Sequence, residues 1–292
     1  MKIVLTGSSS HLARALLPML SADAAISRIT GIDRAPAIWQ HHKYHHVRAD
    51  LADLDPQQSL SGHDALIHMA WVVLRGRMSL ERMRLINLTL SQRWLLAATG
   101  MERIIHLSSA SVYGQGVNLT ESAPMQPIAG FSYAEHKREI EVWLASELPQ
   151  ATSLRPHIIL GPNAQPLLKR LLRLPAYIRL PDPQPLLQCV HETDVAQAIV
   201  QALKMPVSGA FNLAAPDTFN LRDAIRHNRP HAIGISPALA AGSLKLFWRL
   251  FSSGGEPGWI KGANHSLTLD CSRAVSELGW QPRHDSASLI RL

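Results

Sequence analysis

Cysteine is nearly absent from this chain. Cys189 and Cys271 are the two in 292 residues, and both fall in apolar, strand-like stretches. No disulfide framework is available, and buried, inert thiols in a reducing compartment are expected. Also missing is any uninterrupted apolar run of about 20 residues, the length that a membrane-spanning helix requires. The apolar opening at 1–5 reaches Thr6-Gly7 too early to act as a secretory leader, so a cytoplasmic protein is expected. Tandem repeats and low-complexity tracts are lacking as well. Charged residues supply only 17% against 46% hydrophobic, which excludes the disordered class and leaves material for a sizeable core. The 29 Lys and Arg outnumber the 22 Asp and Glu, giving a formal charge of +7. These basic residues are scattered, with neither aromatic interleaving nor zinc-type spacing, so their affinity for anions suits a small phosphorylated ligand better than a nucleic acid. His41, His42, His45 and His46 crowd one polar loop without companion carboxylates or thiolates, and no metal site is expected there.

What the first half does contain is one repeating unit: a short β-branched run, a turn, and an amphipathic helix. Strands are expected at 2–5, 28–32, 45–49, 65–68 and 103–107, with Leu12, Leu16, Leu17 and Leu20 at helical spacing behind the first and long helices at about 78–99 and 132–147. Strict alternation implies a parallel sheet with helices on both faces, the doubly wound α/β architecture of the Rossmann type. After a sixth strand at 152–155 proline becomes frequent (Pro156, Pro162, Pro166, Pro175, Pro181, Pro183, Pro185), so the chain should leave the sheet to build a lid. It should return at 188–191, with a helix at 194–203 and a strand at 210–213. The expected division is therefore a nucleotide-binding domain at 1–162 with 188–215 returning to it, and a small, discontinuous substrate lobe made of 163–187 and 216–292.

Between the first strand and its helix runs Thr6-Gly7-Ser8-Ser9-Ser10-His11-Leu12-Ala13. A glycine there permits a tight turn, and the helix start behind it offers free N–H groups and a positive dipole end to a pyrophosphate. Of the glycines in the pattern Thr-Gly-x-x-Gly-x-x-Gly only Gly7 is present; Ser10 and Ala13 hold the other places. Asp33 ends the second strand, where a carboxylate accepts adenosine-ribose hydroxyls and repels a 2′-phosphate, which favours NAD. Arg34 beside it offers a guanidinium to such a phosphate and keeps NADP as the alternative. Asp50 and Leu51, after the third strand, suit the adenine edge.

Tyr133 and Lys137 stand at i and i+4 near the start of a helix, so they share a face, and Ser109 ends the fifth strand at the sheet edge where ligands bind in such folds. Interconverting an alcohol and a carbonyl needs a proton donor or acceptor at oxygen. A free tyrosine would require a shift of about 3 units, or ~4 kcal/mol, to act near neutrality, and an ammonium at about 4–6 Å supplies much of it. The Ser109 hydroxyl would hydrogen-bond the substrate oxygen.

Here the chain resembles the extended short-chain dehydrogenase/reductases, the NAD-dependent epimerase/dehydratase family. Leu107-Ser108-Ser109-Ala110-Ser111-Val112-Tyr113-Gly114 is similar to the family's active-site strand, and Tyr133-Ala-Glu-His-Lys137 to its Tyr-x-x-x-Lys. His68-Met69-Ala70, Asn87, Leu154-Arg155-Pro156 with Gly161-Pro162, the stretch Val190-His191-Glu192-Thr193-Asp194, and Leu278-Gly279-Trp280 resemble further signatures. The resemblance implies catalysis by Ser109, Tyr133 and Lys137, with Lys137 on the nicotinamide ribose. It further implies cofactor contacts from Gly7, Ser9, Ser10, His11, Leu12, Asp33, Arg34, Asp50, Leu51, Met69, Ala70, Trp71, Asn87, Leu107, Tyr133, Lys137, Pro156, His157 and Ile158. A homodimer through the helices at 78–99 and 132–147 is also implied.

The expectation is an NAD(P)-dependent oxidoreductase or epimerase acting on a small molecule, anionic or lipid-like. The alternative is an NAD(P)-binding regulator or scaffold with little activity. The chain looks short for a nucleotide-sugar epimerase. Two basic amphipathic segments, 167–173 and 244–251, read as lid helices rather than membrane contacts.

Overall fold

The computed structural model describes the whole chain except residues 74–75, 77, 241, 244–260, 263 and 292, so the basic segment at 244–251 lies outside the described residues. In chain order the strands are β1 (Lys2–Thr6), β2 (Arg28–Asp33), β3 (Tyr44–Arg48), β4 (Ala65–His68), β5 (Arg103–Leu107), β6 (Gly116–Leu119), β7 (Thr152–Pro156), β8 (Ile158–Leu160), β9 (Ala176–Ile178), β10 (Cys189–His191), β11 (Gly209–Leu213), β12 (Ile233–Ile235) and β13 (Leu267–Leu269). Among the described residues seven of them form one parallel sheet in the order β11-β7-β5-β4-β1-β2-β3. The direction of winding reverses between β1 and β4, and the crevice beyond the strand ends at that point is the ligand site of open α/β sheets.

The central strands read as apolar runs because both faces are covered. Ile3, Leu5, Ile67 and Ile105 turn to one side, where they pack with Leu16, Leu17 and Leu20 of α1 (Ala13–Ala22) and Ile199 and Leu203 of the helix Glu192–Lys204. Val4, Leu66 and Ile104 turn to the other and meet Trp94, Leu95, Ile140 and Leu144. That second layer comprises α2 (Pro56–Leu60), α3 (Leu80–Arg84), α4 (Ser91–Ala97) and α5 (Ser132–Glu147).

Three features were not written in the local sequence. The helix expected at 78–99 is interrupted by a π-helical turn at Leu85–Leu90, which turns Asn87 inward; its side chain accepts from Val72 N at 2.8 Å and donates to Val72 O at 3.0 Å. At 188–191 the chain packs Val190 into the main core while β10 pairs with β8 in a separate parallel ladder, and β11 extends the main sheet beside β7. Finally, β6 pairs with β13 far along the chain, Gly116 with Leu267 and Leu119 with Leu269, and Cys271 caps the helix Ser272–Leu278 instead of lying in a strand. Both cysteines are free, and burial pushes each thiol up to about 12.

A buried ion pair joins these layers. Glu141 of α5 and Arg155 of β7 meet at 2.6 Å with their side chains 4% and 5% exposed. Arg155 also donates to the Tyr113 hydroxyl at 2.5 Å and to Glu121 O at 3.1 Å, and Tyr113 passes its proton toward Asn212 Oδ1 at 2.8 Å. Asn212 in turn donates to Leu119 O and Asp270 O, which fastens β11 to the C-terminal segment. Removing one partner of such a pair strands a charge in the interior. Arg155→Met should therefore lower the urea unfolding free energy by about 3–5 kcal/mol; a loss under ~1 kcal/mol would show that the pair does not organise this junction.

Candidate active site

At the start of α1 the backbone of Gly7 has φ +74°, and a Cβ there would lie 2.8 Å from Ala70 N and 2.9 Å from Met69 C. Glycine is required on both counts, since the turn presses against the end of β4. Ser10 N bonds Gly7 O at 3.1 Å, and the Ser10 hydroxyl accepts from Ala13 N at 3.4 Å, so the side chain that replaces a glycine is turned to the helix start. Among the described residues no acceptor meets the backbone N–H of His11 or Leu12. Two unclaimed donors at the positive end of a ten-residue helix fit a pyrophosphate.

Asp33 braces this loop. One carboxylate oxygen accepts from Ser9 N at 3.0 Å and the other from Ala35 N at 2.9 Å, and each keeps a lone pair for a further donor. Arg34 reaches across to Asp50 at 3.7 Å, while Asp50 also accepts from Ala52 N at 3.0 Å. Leu51 contributes its carbonyl to Trp94 Nε1 at 3.2 Å. The structure thus brings Gly7, Ser9, Ser10, His11, Leu12, Asp33, Arg34 and Asp50 to one end of the sheet. Beside them Met69 N bonds Thr6 O at 3.2 Å and Ala70 N reaches the Thr6 hydroxyl at 3.4 Å.

Further along the same edge the Ser109 hydroxyl caps a 3-10 turn at Ala110–Tyr113, accepting from Ser111 N at 3.2 Å and from the Ser111 hydroxyl at 3.0 Å, and it acts to lower the Tyr133 hydroxyl. Lys137, one turn further along α5, is 3% exposed and donates to Leu107 O. Its Nζ lies 3.5 Å from the centroid of the Trp71 ring and 6.0 Å from that of Tyr133.

Burial pushes the Tyr133 hydroxyl up to about 12, with the neighbouring Ser109 hydroxyl acting in the opposite direction. Lys137 is itself driven well below the ordinary lysine range by burial, with the Glu141 carboxylate opposing, and it lies closer to the indole than to the phenol ring. Glu141, one turn beyond Lys137, was not singled out from the sequence, although a carboxylate among Ile140 and Leu144 is the available signal; it accepts from both Ser108 Oγ and Arg155. Pro156 ends β7, and His157 after it is held on both nitrogens: Nδ1 accepts from Ile158 N at 2.8 Å and Nε2 donates to Leu267 O at 2.9 Å.

A model of the family described as NAD dependent epimerase/dehydratase matches residues 3–214. Over 98% of its length the chain is 23% identical to an uncharacterized protein, y4nG, of Sinorhizobium fredii, and it spans 76% of that protein. Among solved structures it is similar to a UDP-N-acetylglucosamine 4-epimerase from Methanobrevibacter ruminantium, with TM-score 0.76 and 19% identity over 99% of this chain and 96% of that one. It is similar as well to a UDP-glucuronic acid 4-epimerase from Bacillus cereus in complex with NAD, with TM-score 0.72 and 19% identity over 100% and 96% of the two chains. The apparent shortness of the chain is thereby corrected, since it covers nearly the full length of these proteins. At such identities the likeness shows the fold.

Three buried imidazoles surround the site in their neutral form. His68 bridges the Thr6 and Ser91 hydroxyls at 2.9 Å each, and burial lowers it to about 3; His157 is lowered to about 4 by the same cause. His106, stacked 6.1 Å from His68, is lowered as well. In the unfolded chain each would titrate near about 6.5, so below that pH the unfolded state takes up protons that the folded state refuses. Stability is full above about pH 6.5 and is lost as the pH falls, by about 1.4 kcal/mol per pH unit for each ring. Urea unfolding should show a loss of at least about 3 kcal/mol between pH 7 and pH 5; a flat profile would mean that these rings accept protons in place.

Proposed function

Because the chain belongs to the NAD dependent epimerase/dehydratase family, we propose that it is an NAD-dependent enzyme of the epimerase type. It acts on an alcohol or carbonyl carbon of a small molecule through Ser109, Tyr133 and Lys137. The observation that carries this reading is the convergence at the sheet edge of Ser109, just past β5, with Tyr133 and Lys137 on one face of α5, the Ser109 hydroxyl acting to lower the Tyr133 hydroxyl. NAD, when bound, supplies a reversible hydride acceptor. The free N–H groups of His11 and Leu12 would hold its pyrophosphate, and Asp33 its adenosine ribose. The Ser109 hydroxyl holds the substrate oxygen, and Tyr133 gives it a proton or takes one. With its hydroxyl held up near about 12, Tyr133 rests as the neutral phenol and is ready to donate; accepting a proton requires the Lys137 charge to come closer.

The relatives support a substrate class. The similar solved proteins are named for UDP-sugar epimerisation and have nearly the length of this chain. The net charge of +7 suits an anionic sugar nucleotide. The lobe assembled from 163–187 and 216–292 would enclose it; there β9 pairs with β12, and Tyr177, Leu180, Gln184, Arg222 and Asn264 line a shallow hollow. Association of two chains is expected through α3 to α5, where Leu80, Leu85, Leu96 and Val142 are exposed.

Tyr133→Phe should abolish turnover, with a fall of at least about a hundredfold, while NADH affinity stays within about twofold; retained turnover would remove the role given to this residue. Asp33→Ala should weaken NADH binding about tenfold and erase any preference over NADPH, read from nicotinamide fluorescence of the cofactor-stripped protein. Absence of binding by either nucleotide to the parent protein would favour the regulator or scaffold reading instead.

A further inference from the structure

Trp71 lies in the turn after β4, and its indole is the face against which the Lys137 ammonium rests, 3.5 Å from the ring centroid. Among the other described neighbours of that ammonium are the Leu107 carbonyl, to which it donates, the Glu141 carboxylate, and the His68 and His106 rings. A lysine that is 3% exposed has lost its water, and a desolvated ammonium gains most from an aromatic face. The indole is not fastened in return. Its Nε1 is buried with no hydrogen-bond partner among the described residues, and the ring it meets edge-on at 5.7 Å, His106, has both nitrogens in the same condition. Trp71 therefore holds Lys137 without being tied to its place by a polar bond of its own.

This contact matters for the reaction proposed above, on which the inference rests. While the ammonium is satisfied by the indole and a carbonyl it is held nearer to them than to Tyr133, whose ring centroid is 6.0 Å away. We propose that Trp71 is a displaceable cover over Lys137: the indole must leave the ammonium before Lys137 can reach a ribose hydroxyl of the dinucleotide, and its departure also frees Lys137 to approach Tyr133. Cofactor binding and the arming of the tyrosine are thereby one event. Trp71 is a positioning residue in this scheme and touches no reacting atom.

The cover is tested first without cofactor. Brief acetylation with an amine-reactive ester, followed by peptide mapping, should find Lys137 protected in the parent protein and labelled at least about tenfold faster in Trp71→Ala, with exposed lysines unchanged. Trp71→Phe, which keeps a smaller ring and should melt with the parent, should fall between. NADH titration should then give a Kd about tenfold lower for Trp71→Ala, because a cation–π contact no longer competes. Equal labelling of Lys137 in all three proteins would overturn the cover. Weaker NADH binding by Trp71→Ala would overturn it too, by making the indole a platform for the ligand. Faster labelling with no NADH binding by any of the proteins would instead overturn the cofactor reading, and the exchange with it.

Discussion

The charge on Arg155 is buried at the end of a strand deep in the sheet, and everything around the site is arranged to answer it. Such a charge costs several kcal/mol unless paired and hydrogen-bonded on all sides. Here Glu141 supplies the counter-charge, Glu121 a carbonyl, and Tyr113 a hydroxyl. Because Glu141 is on α5, the pair fixes the rotation of that helix against β7. Tyr133, Lys137 and Glu141 lie at i, i+4 and i+8, so pinning the third aims the other two at the sheet edge. Glu141 also takes the Ser108 hydroxyl, which sets the strand end from which Ser109 projects. One ion pair thus orients all three groups of the proposed chemistry, and Tyr113 and Asn212 carry its influence on to the C-terminal segment.

Much of this frame was legible in the sequence, for reasons that differ by element. The strands Ala65–His68 and Arg103–Leu107 and the helix Ser132–Glu147 were found with their observed bounds, because a strand buried on both faces writes itself as an apolar run and α5 begins at a motif. The Gly7 turn was legible because its φ of +74° and its contact with Ala70 admit no side chain. What escaped was set by contacts between distant segments. Nothing local in Gly116–Leu119 announces a partner at Leu267–Leu269, and nothing in Cys189–His191 distinguishes pairing with β8 from pairing with the main sheet. The π turn at Leu85–Leu90 was hidden likewise, since it exists to aim Asn87 at a backbone segment fifteen residues earlier.

The candidate site divides in the same way. Residue types and strand-end positions make Ser109, Tyr133, Lys137 and Asp33 candidates without a structure, whereas the state in which they are held depends on burial. Desolvation raises the Tyr133 hydroxyl and lowers the Lys137 amine together, so the two shifts share one cause. Spacing along a helix fixes that two side chains share a face; it does not fix which neighbour the longer one chooses. Lys137 has four rotatable carbons, and the Trp71 ring is the face it finds.

That choice decides what the neutral imidazoles do. His68 and His106 sit below the ammonium on adjacent strands, paired in register, and each is discouraged from protonation by burial and by Lys137 itself. A row of uncharged rings beneath a single cation keeps the local field simple: the charge that can move in this part of the site is the one on Lys137. Moving it toward Tyr133 would lower the phenol hydroxyl and, by withdrawing a like charge, ease the imidazoles behind it. The side chain resting on Lys137 therefore bears on the two imidazoles that feel this charge, which is why an indole with an unpaired N–H is consequential in a site whose named chemistry lies elsewhere.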